Sequence, residues 1–249
     1  MSVAGVTVRF LGSGDAFGSG ARFQTCIYVS CGSAGFAIDC GTSSLIAMRR
    51  YGVDPSHIDT VLLTHLHGDH FGGLPFLILH AQLISRRTRP LLIAGPPGLK
   101  NRVLQAMEIL FPGSSRMRQS FALEFLDLRV RTPTTIGDLV VTAYGVVHPS
   151  GAAAYALRIV TGGKVIAYSG DTEWTDALIE AAQDADVFIC EAYSFDERIR
   201  YHLDYATIMS HQQHLNARRL VLTHMNEDML ARLPRIEAEW AEDGKCFVL

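Results

Sequence analysis

A layered α/β body with two sheets is what this chain of 249 residues predicts, and three observations carry the prediction. Short β-rich runs, each closed by glycine or a polar turn, recur in both halves of the chain. Helical patterns lie between them. The apolar content of 48% is enough, at this length, to bury a sizeable core. No repeat of fixed period, low-complexity tract or Pro/Ser-rich linker interrupts the pattern, so residues 1–249 read as one domain.

The elements follow in order. "VTVRFLGSG" (6–14) and "TCIYVSCGSAGFAIDCG" (25–41) read as strands and hairpins. "TVLLT" (60–64) is an apolar strand, and "LPFLILHAQLISRR" (74–87) a mostly buried helix. "RPLLIAGPPGL" (89–99) is a strand that ends in a turn, because Pro96 and Pro97 cannot continue a ladder. "LVVTAYGVVHPSG" (139–151), "AAAYALRIVTGGKVIAYSGDT" (152–172) and "ADVFICEAY" (185–193) are further strands, the second folded back through a turn at 161–164. "DYATIMSHQQHLNARR" (204–219) is helical and feeds the strand "LVLTHMN" (220–226); "MLARLPRIEAEW" (229–240) is a last helix.

Charge and cysteine content narrow the function. A formal charge of −3 lacks the basic excess of a general nucleic-acid binder. Cys26, Cys31, Cys40, Cys190 and Cys246 are odd in number, show no CxxC pairing, and sit mostly in apolar runs. They read as reduced, buried thiols of a cytoplasmic protein. The start "MSVAGVTVRF" has no charged region followed by a long apolar stretch, and no segment reaches the ~18 apolar residues of a membrane helix. A soluble, unexported protein is expected.

The chemistry concentrates in "TVLLTHLHGDHFGGL" (60–74), where His65, His67, Asp69 and His70 follow the apolar strand. If the strand runs on, His65 and His67 point the same way, and a turn at Gly68 brings Asp69 and His70 to the same rim. Four such groups packed together at a buried strand end would cost several kcal/mol unless a cation satisfied them. Imidazole and carboxylate suit zinc best, with manganese or iron as alternatives; calcium and magnesium prefer oxygen ligands alone.

This HxHxDH pattern resembles the signature of the metallo-β-lactamase superfamily. The resemblance spans residues 6 to about 226 and implies a four-layer αββα sandwich with two divalent metal ions at one edge. It also implies three later ligands at strand ends, for which His148, Asp171 and His224 stand in the right order. By this resemblance His65, His67 and His148 hold one ion, Asp69, His70 and His224 the other, and Asp171 bridges. A cysteine often replaces the bridging aspartate in the lactamase branch, and an HxE pattern marks the di-iron flavoprotein branch; neither occurs here. Two ions roughly 3.5–4 Å apart share a hydroxide whose pKa is lowered towards ~7 and clamp an anionic oxygen.

Within the superfamily the chain is most similar to the ribonuclease Z and cyclic phosphodiesterase branch. "FLGSGDAFGSGARFQTC" resembles that branch's glycine-rich opening loop, and "IAGPPGL" its GP turn. His202, in "YHLDYATIMSHQQHLNARRLVLTH", stands near the place of its HST motif, although here the motif reads His-Leu-Asp. The resemblance gives Asp69, His202 and Glu191 of "CEAY" catalytic roles, His202 assisting the leaving group or holding phosphate while Glu191 orients it. Ribonuclease Z enzymes carry a long basic arm between the third histidine and the bridging aspartate. Here "PSGAAAYALRIVTGGKVIAYSG" (149–170) has room only for a hairpin. The expectation is therefore a binuclear metal-dependent phosphodiesterase acting on a small phosphodiester or cyclic nucleotide-like substrate rather than transfer RNA. Thioesterase or lactonase chemistry on the same metals is the alternative, and a silent binding module the third reading. Homodimers are frequent in the branch, and "LPFLILHAQLI" is the contact surface this implies.

Other features stay structural in this reading. Phe17 in "GSGDAFGSG" stands where a dinucleotide fingerprint needs its third glycine, so the loop is expected to line the site. His57, His80, His211 and His214 read as structural, and "SRRTR" (85–89) as a solvated helix end.

Overall fold

The computed structural model describes residues 5–32 and 34–249. Residues 1–4 and Ser33, where the sequence places the chain start and the tip of the first hairpin, lie outside the described residues. The first sheet is built from β1 (Val6–Gly12), β2 (Cys26–Cys31), β3 (Ala34–Ile38), β4 (Ile58–Leu62), β5 (Leu91–Gly95) and β6 (Leu123–Asp127). The second holds β7 (Thr134–Ile136), β8 (Leu139–Val146), β9 (Ala154–Thr161), β10 (Lys164–Tyr168), β11 (Val187–Glu191), β12 (Leu220–Thr223) and β13 (Glu239–Trp240). A last strand, β14 (Cys246–Val248), returns to pair with β1 in the first sheet.

The sheet orders are β14-β1-β2-β3-β4-β5-β6 and β13-β12-β11-β10-β9-β8-β7. Each sheet is antiparallel on one side and parallel on the other, β3 to β6 in the first and β10 to β13 in the second. Alternation along each strand explains the layers. On β1, Val8 and Phe10 enter the core between the sheets. On β4, Leu62 does the same, while Val61 and the following Leu63 face the outer helices. Parallel strands buried on both faces read as continuous apolar runs.

Helices α1 (Ser44–Arg50), α2 (Gly68–Phe71), α3 (Leu74–Leu83) and α4 (Leu99–Leu110) accompany the first sheet. Met48, Leu74, Leu77, Ile78, Val103 and Met107 close its outer core. Helices α5 (Ala177–Ala182), α6 (Tyr205–Ser210) and α7 (Glu227–Ala231) cover the second through Leu178, Ala182, Ile208 and Met229. The result is the four-layer αββα sandwich. No helix among the described residues is long and apolar enough to cross a membrane.

Several local expectations need correction. The stretch 204–219 is helical only as α6 and a 3₁₀ turn at Gln212–His214. The expected last helix stops at Ala231; a 3₁₀ turn containing Pro234 follows, and Glu239–Trp240 is a strand paired with β12. "SRRTR" is not simply solvated: Arg87 is 5% exposed, and its guanidinium donates to Asp59 and to the backbone oxygens of Ser56, Arg89 and Pro90. Cys26, Cys40 and Cys190 are buried, but Cys246 is exposed. Burial pushes the Cys40 thiol up to about 12, which makes it inert. Helix α3 turns Leu74, Leu77, Ile78 and Ala81 into its own core, leaving Phe76, Leu83 and the following Ile84 exposed.

An ion-pair group joins the free sides of the two sheets. Arg219, before β12, donates twice to Glu239 on β13 at 2.6 and 2.7 Å, and Lys245 Nζ lies 2.7 Å from the same carboxylate. Arg219 also covers the Phe247 ring of β14 at 3.7 Å. Hydrogen bonding to Arg219, against a smaller effect of burial, lowers the Glu239 carboxyl to about 2. A depressed carboxyl stabilises above its unfolded pKa of ~4.3, and the contribution is lost as pH falls through the folded value. Glu239→Gln should therefore be less stable than the parent at pH 7, by about 1 kcal/mol for a partly exposed pair. Urea unfolding in chelator should find that gap closing between about pH 4.5 and 2; a gap that stays constant would show no such linkage.

Candidate metal centre

The predicted ligands lie at one end of both sheets, just beyond the ends of strands running the same way, where open α/β sheets place their sites. β4 stops at Leu62, and an extended stretch carries His65 and His67 rather than a continued strand. Gly68–Phe71 then forms a single helical turn, α2, which presents Asp69 and His70. From the second sheet, β8 leads to His148, β10 to Asp171, β11 ends on Glu191, and β12 leads to His224. All seven expected ligand residues are brought together.

His65, His67 and His148 form one group, and Asp69, His70, Asp171 and His224 a second; within each, the donor atoms lie within 4.8 Å of one another. Asp171 stands between the groups. Its Oδ2 is 3.8 Å from His65 Nε2, 3.9 Å from His148 Nε2 and 3.5 Å from His224 Nε2, and its Oδ1 is 3.4 Å from His70 Nε2. Asp69 Oδ2 lies 3.2 Å from His70 Nε2 and 3.3 Å from His224 Nε2.

Residues that sequence reasoning missed aim these rings. Asp39, after β3, accepts from His70 Nδ1 at 2.7 Å and from the Thr64 hydroxyl at 2.8 Å. The same hydroxyl accepts from His65 Nδ1 at 3.0 Å. One buried carboxylate thus turns the Nε2 atoms of two histidines into the cluster. The Tyr201 carbonyl accepts from His148 Nδ1 at 2.9 Å, leaving its Nε2 facing His67 Nδ1 at 3.0 Å. Asp39, Tyr201 and His224 all adopt positive φ (58°, 71° and 56°), a strain that clusters at functional sites.

The electrostatics of the cluster favour a cation. Burial, then repulsion by His70, lowers the pKa of His65. For His70 and His224 burial acts in the same direction, but the carboxylates led by Asp171 outweigh it and raise both, His224 to about 9. Burial raises Asp171 and Asp69 less than their histidine neighbours lower them. The carboxylates draw protons onto the rings, and a divalent cation fills that role better. His65 Nε2, His70 Nε2 and Asp171 Oδ1 are buried and make no well-directed hydrogen bond, only the approaches of 3.2–3.8 Å given above. The donor set therefore fits divalent metal ions of the kind that bind imidazole and carboxylate. Asp39→Asn should weaken metal binding by about 10–100-fold; a chelator titration with unchanged affinity would remove its orienting role.

Beside the cluster, His202 Nδ1 lies 2.9 Å from Glu191 Oε2, and its ring stacks on Tyr193 at 4.5 Å and stands 5.0 Å from His148. Burial lowers the His202 pKa, but the hydrogen bond to Glu191 and its charge outweigh this and raise it. The opening loop lies against the site, with the Ser13 carbonyl accepting from His224 N at 3.1 Å and Gly14 bridging to Met225. A Cβ at Gly12 would stand 1.9 Å from the Gln24 oxygen, so the close approach demands glycine. His211 stacks on Trp174 at 3.9 Å.

The architecture matches known proteins throughout. The metallo-β-lactamase fold protein YhfI from Bacillus subtilis superposes with a TM-score of 0.80 at 21% identity, covering 99% of this chain and 100% of that one. Human tRNase Z, short form (ELAC1), gives 0.78 at 25% identity over 97% and 98%. Ribonuclease Z of Lachnoclostridium phytofermentans is 31% identical over 160 residues, 64% of this chain, and the match spans only 50% of that relative's length. Residues 6–244 match the family of the Anti-Pycsar protein Apyc1, and the chain belongs to that family.

Proposed function

We propose that the protein is a binuclear metal-dependent phosphodiesterase acting on a small phosphodiester of the cyclic-nucleotide kind. The observation that carries this reading is the gathering of seven imidazole and carboxylate groups, several without a well-directed hydrogen bond, beside a buried Glu191–His202 pair. His65, His67 and His148 would hold one ion and Asp69, His70 and His224 the other, with Asp171 between; zinc suits these donors best. When bound, such a pair supplies Lewis-acid polarisation of a phosphoryl oxygen and activates water as a nucleophile near neutral pH.

The remaining work falls to the chain. Asp69, held as an anion by His70 and His224, keeps both rings in place. Glu191 fixes His202 through Nδ1, so Nε2 is the atom that carries a proton to the leaving oxygen as the P–O bond breaks. The raised pKa of His202 favours the protonated form needed for that step. Residues 149–170 form the β9–β10 hairpin and connecting turns, which leaves no basic arm there to grip a folded RNA; this favours a small substrate over transfer RNA.

The test is a metal-reconstituted protein assayed on 3′,5′- and 2′,3′-cyclic nucleotides, bis(p-nitrophenyl) phosphate, lactones and thioesters, with metal counted by elemental analysis. Turnover of the phosphodiesters with about two ions per chain is the expected result. Turnover confined to lactones or thioesters would replace the reading.

A further inference from the structure

A cleft of about 500 Å³ opens beside the metal centre, and its walls include Glu173, Trp174, Arg198, Arg200, His202 and His211. His202 is the shared partition: the cleft lies along it, and Glu191 holds its ring on the metal side. The opposite wall is equally tied to the site. Trp174 follows Asp171 by three residues, Glu173 N donates to the Val147 carbonyl at 3.2 Å, and Glu173 Oε1 accepts from Tyr201 N at 2.7 Å. The same Tyr201 gives its carbonyl to His148. A group seated in this cleft is therefore held in register with the ligand residues.

The chemistry of the walls selects the group. Trp174 is stacked on His211 with ring centroids 3.9 Å apart and planes 11° from parallel, so a flat aromatic surface is ordered before any ligand arrives. Arg198 and Arg200 are exposed and form no ion pair among the described residues; Arg200 lies over the Tyr201 ring at 4.5 Å. Free guanidinium groups beside a stacking platform suit a planar heteroaromatic ring attached to an anion. A lipid tail would meet the wrong surface, and a bare phosphate would leave the aromatic pair unused.

We propose that this cleft is the base subsite of the enzyme, taking the heteroaromatic base of a mononucleotide-sized phosphodiester on Trp174, with Arg198 and Arg200 drawing in its anion. The proposal rests on the phosphodiesterase reading above and adds the part of the substrate away from the metals. It makes Trp174 a specificity residue and gives His211 a function, that of backing the indole.

The experiment compares a 3′,5′-cyclic nucleotide with the base-free 1-O-methyl ribose 3′,5′-cyclic phosphate, whose phosphodiester and alkoxide leaving group are the same. Trp174→Ala should lose about 5- to 150-fold in kcat/KM on the nucleotide, mainly through KM, which is the range for one base stacked on an aromatic side chain. On the base-free ester it should match the parent, and Trp174→Phe should recover most of the loss while confirming that the position tolerates exchange. Equal loss on both esters, or none on either, with metal content and thermal midpoint unchanged, would overturn the subsite while leaving the phosphodiesterase reading intact. Should the parent hydrolyse neither ester, that reading fails on its own, and calorimetric titration of the metal-loaded protein with nucleoside 5′-monophosphate decides the subsite. Binding weakened by Trp174→Ala sustains it; no binding to the parent overturns it.

Discussion

His202→Ala should lose about 10²–10⁴-fold in kcat/KM on alkyl or nucleoside diesters while keeping much of its activity on bis(p-nitrophenyl) phosphate. A poor alkoxide leaving group needs a proton as the P–O bond breaks, whereas nitrophenolate leaves without one. In the proposed mechanism His202 delivers that proton; its Nδ1 is fixed by Glu191 at 2.9 Å and its ring packs against Tyr193 and His148. Metal content should be unchanged, because the seven proposed ligands do not include it. Equal losses on the two substrates at full metal occupancy would mean that His202 binds phosphate or positions the loop instead.

Asp171→Ala should behave in the opposite way, with activity on both substrates falling together by more than about 100-fold, beyond the 10–100-fold typical of an outer partner. Elemental analysis should find at most one ion per chain where the parent holds about two. The carboxylate reaches four histidines at 3.4–3.9 Å, so no neighbour can take its place between the two groups. Asp171→Asn keeps the shape and removes only the charge, and should show the same metal loss if the protein folds but Ala does not. Two ions retained in the Asn variant would rule out Asp171 as the bridge.

Much of this was legible in the sequence because local patterns encode it. His65, His67, Asp69 and His70 are close along the chain, and any fold that ends a buried strand there must gather them. His148, Asp171 and His224 each follow an apolar strand, but their meeting depends on sheet order, which only resemblance supplied. Asp39 was missed although "GFAIDCG" repeats the strand-then-aspartate pattern of "VIAYSGD". The Tyr201 carbonyl carries no side-chain signal at all. Pro96-Pro97-Gly98 masks helix α4 in the sequence, although Leu99, Val103 and Met107, each four apart, are its buried stripe. The sequence pattern overstates the last helix because the apolar residues beyond Pro234 belong to an edge strand and its loop.

The chain leaves the first sheet after β6 and, apart from β14, does not return. Four of the seven proposed ligands belong to the half made first and three to the half made second. During synthesis the earlier half can offer an ion His65, His67, Asp69 and His70, but never the bridge. On the proposed ligand sets the first ion's residues are complete only once Asp171 has been made and docked and the second ion's only with His224, which would make capture of both ions a checkpoint on completed assembly rather than a seed for it. Ions held by the proposed ligands would tie the two halves together across their shared edge. A chain nicked in the 128–133 crossing should stay associated through the core between the sheets and the β14–β1 pairing, and metal should raise the urea concentration needed to separate the two pieces.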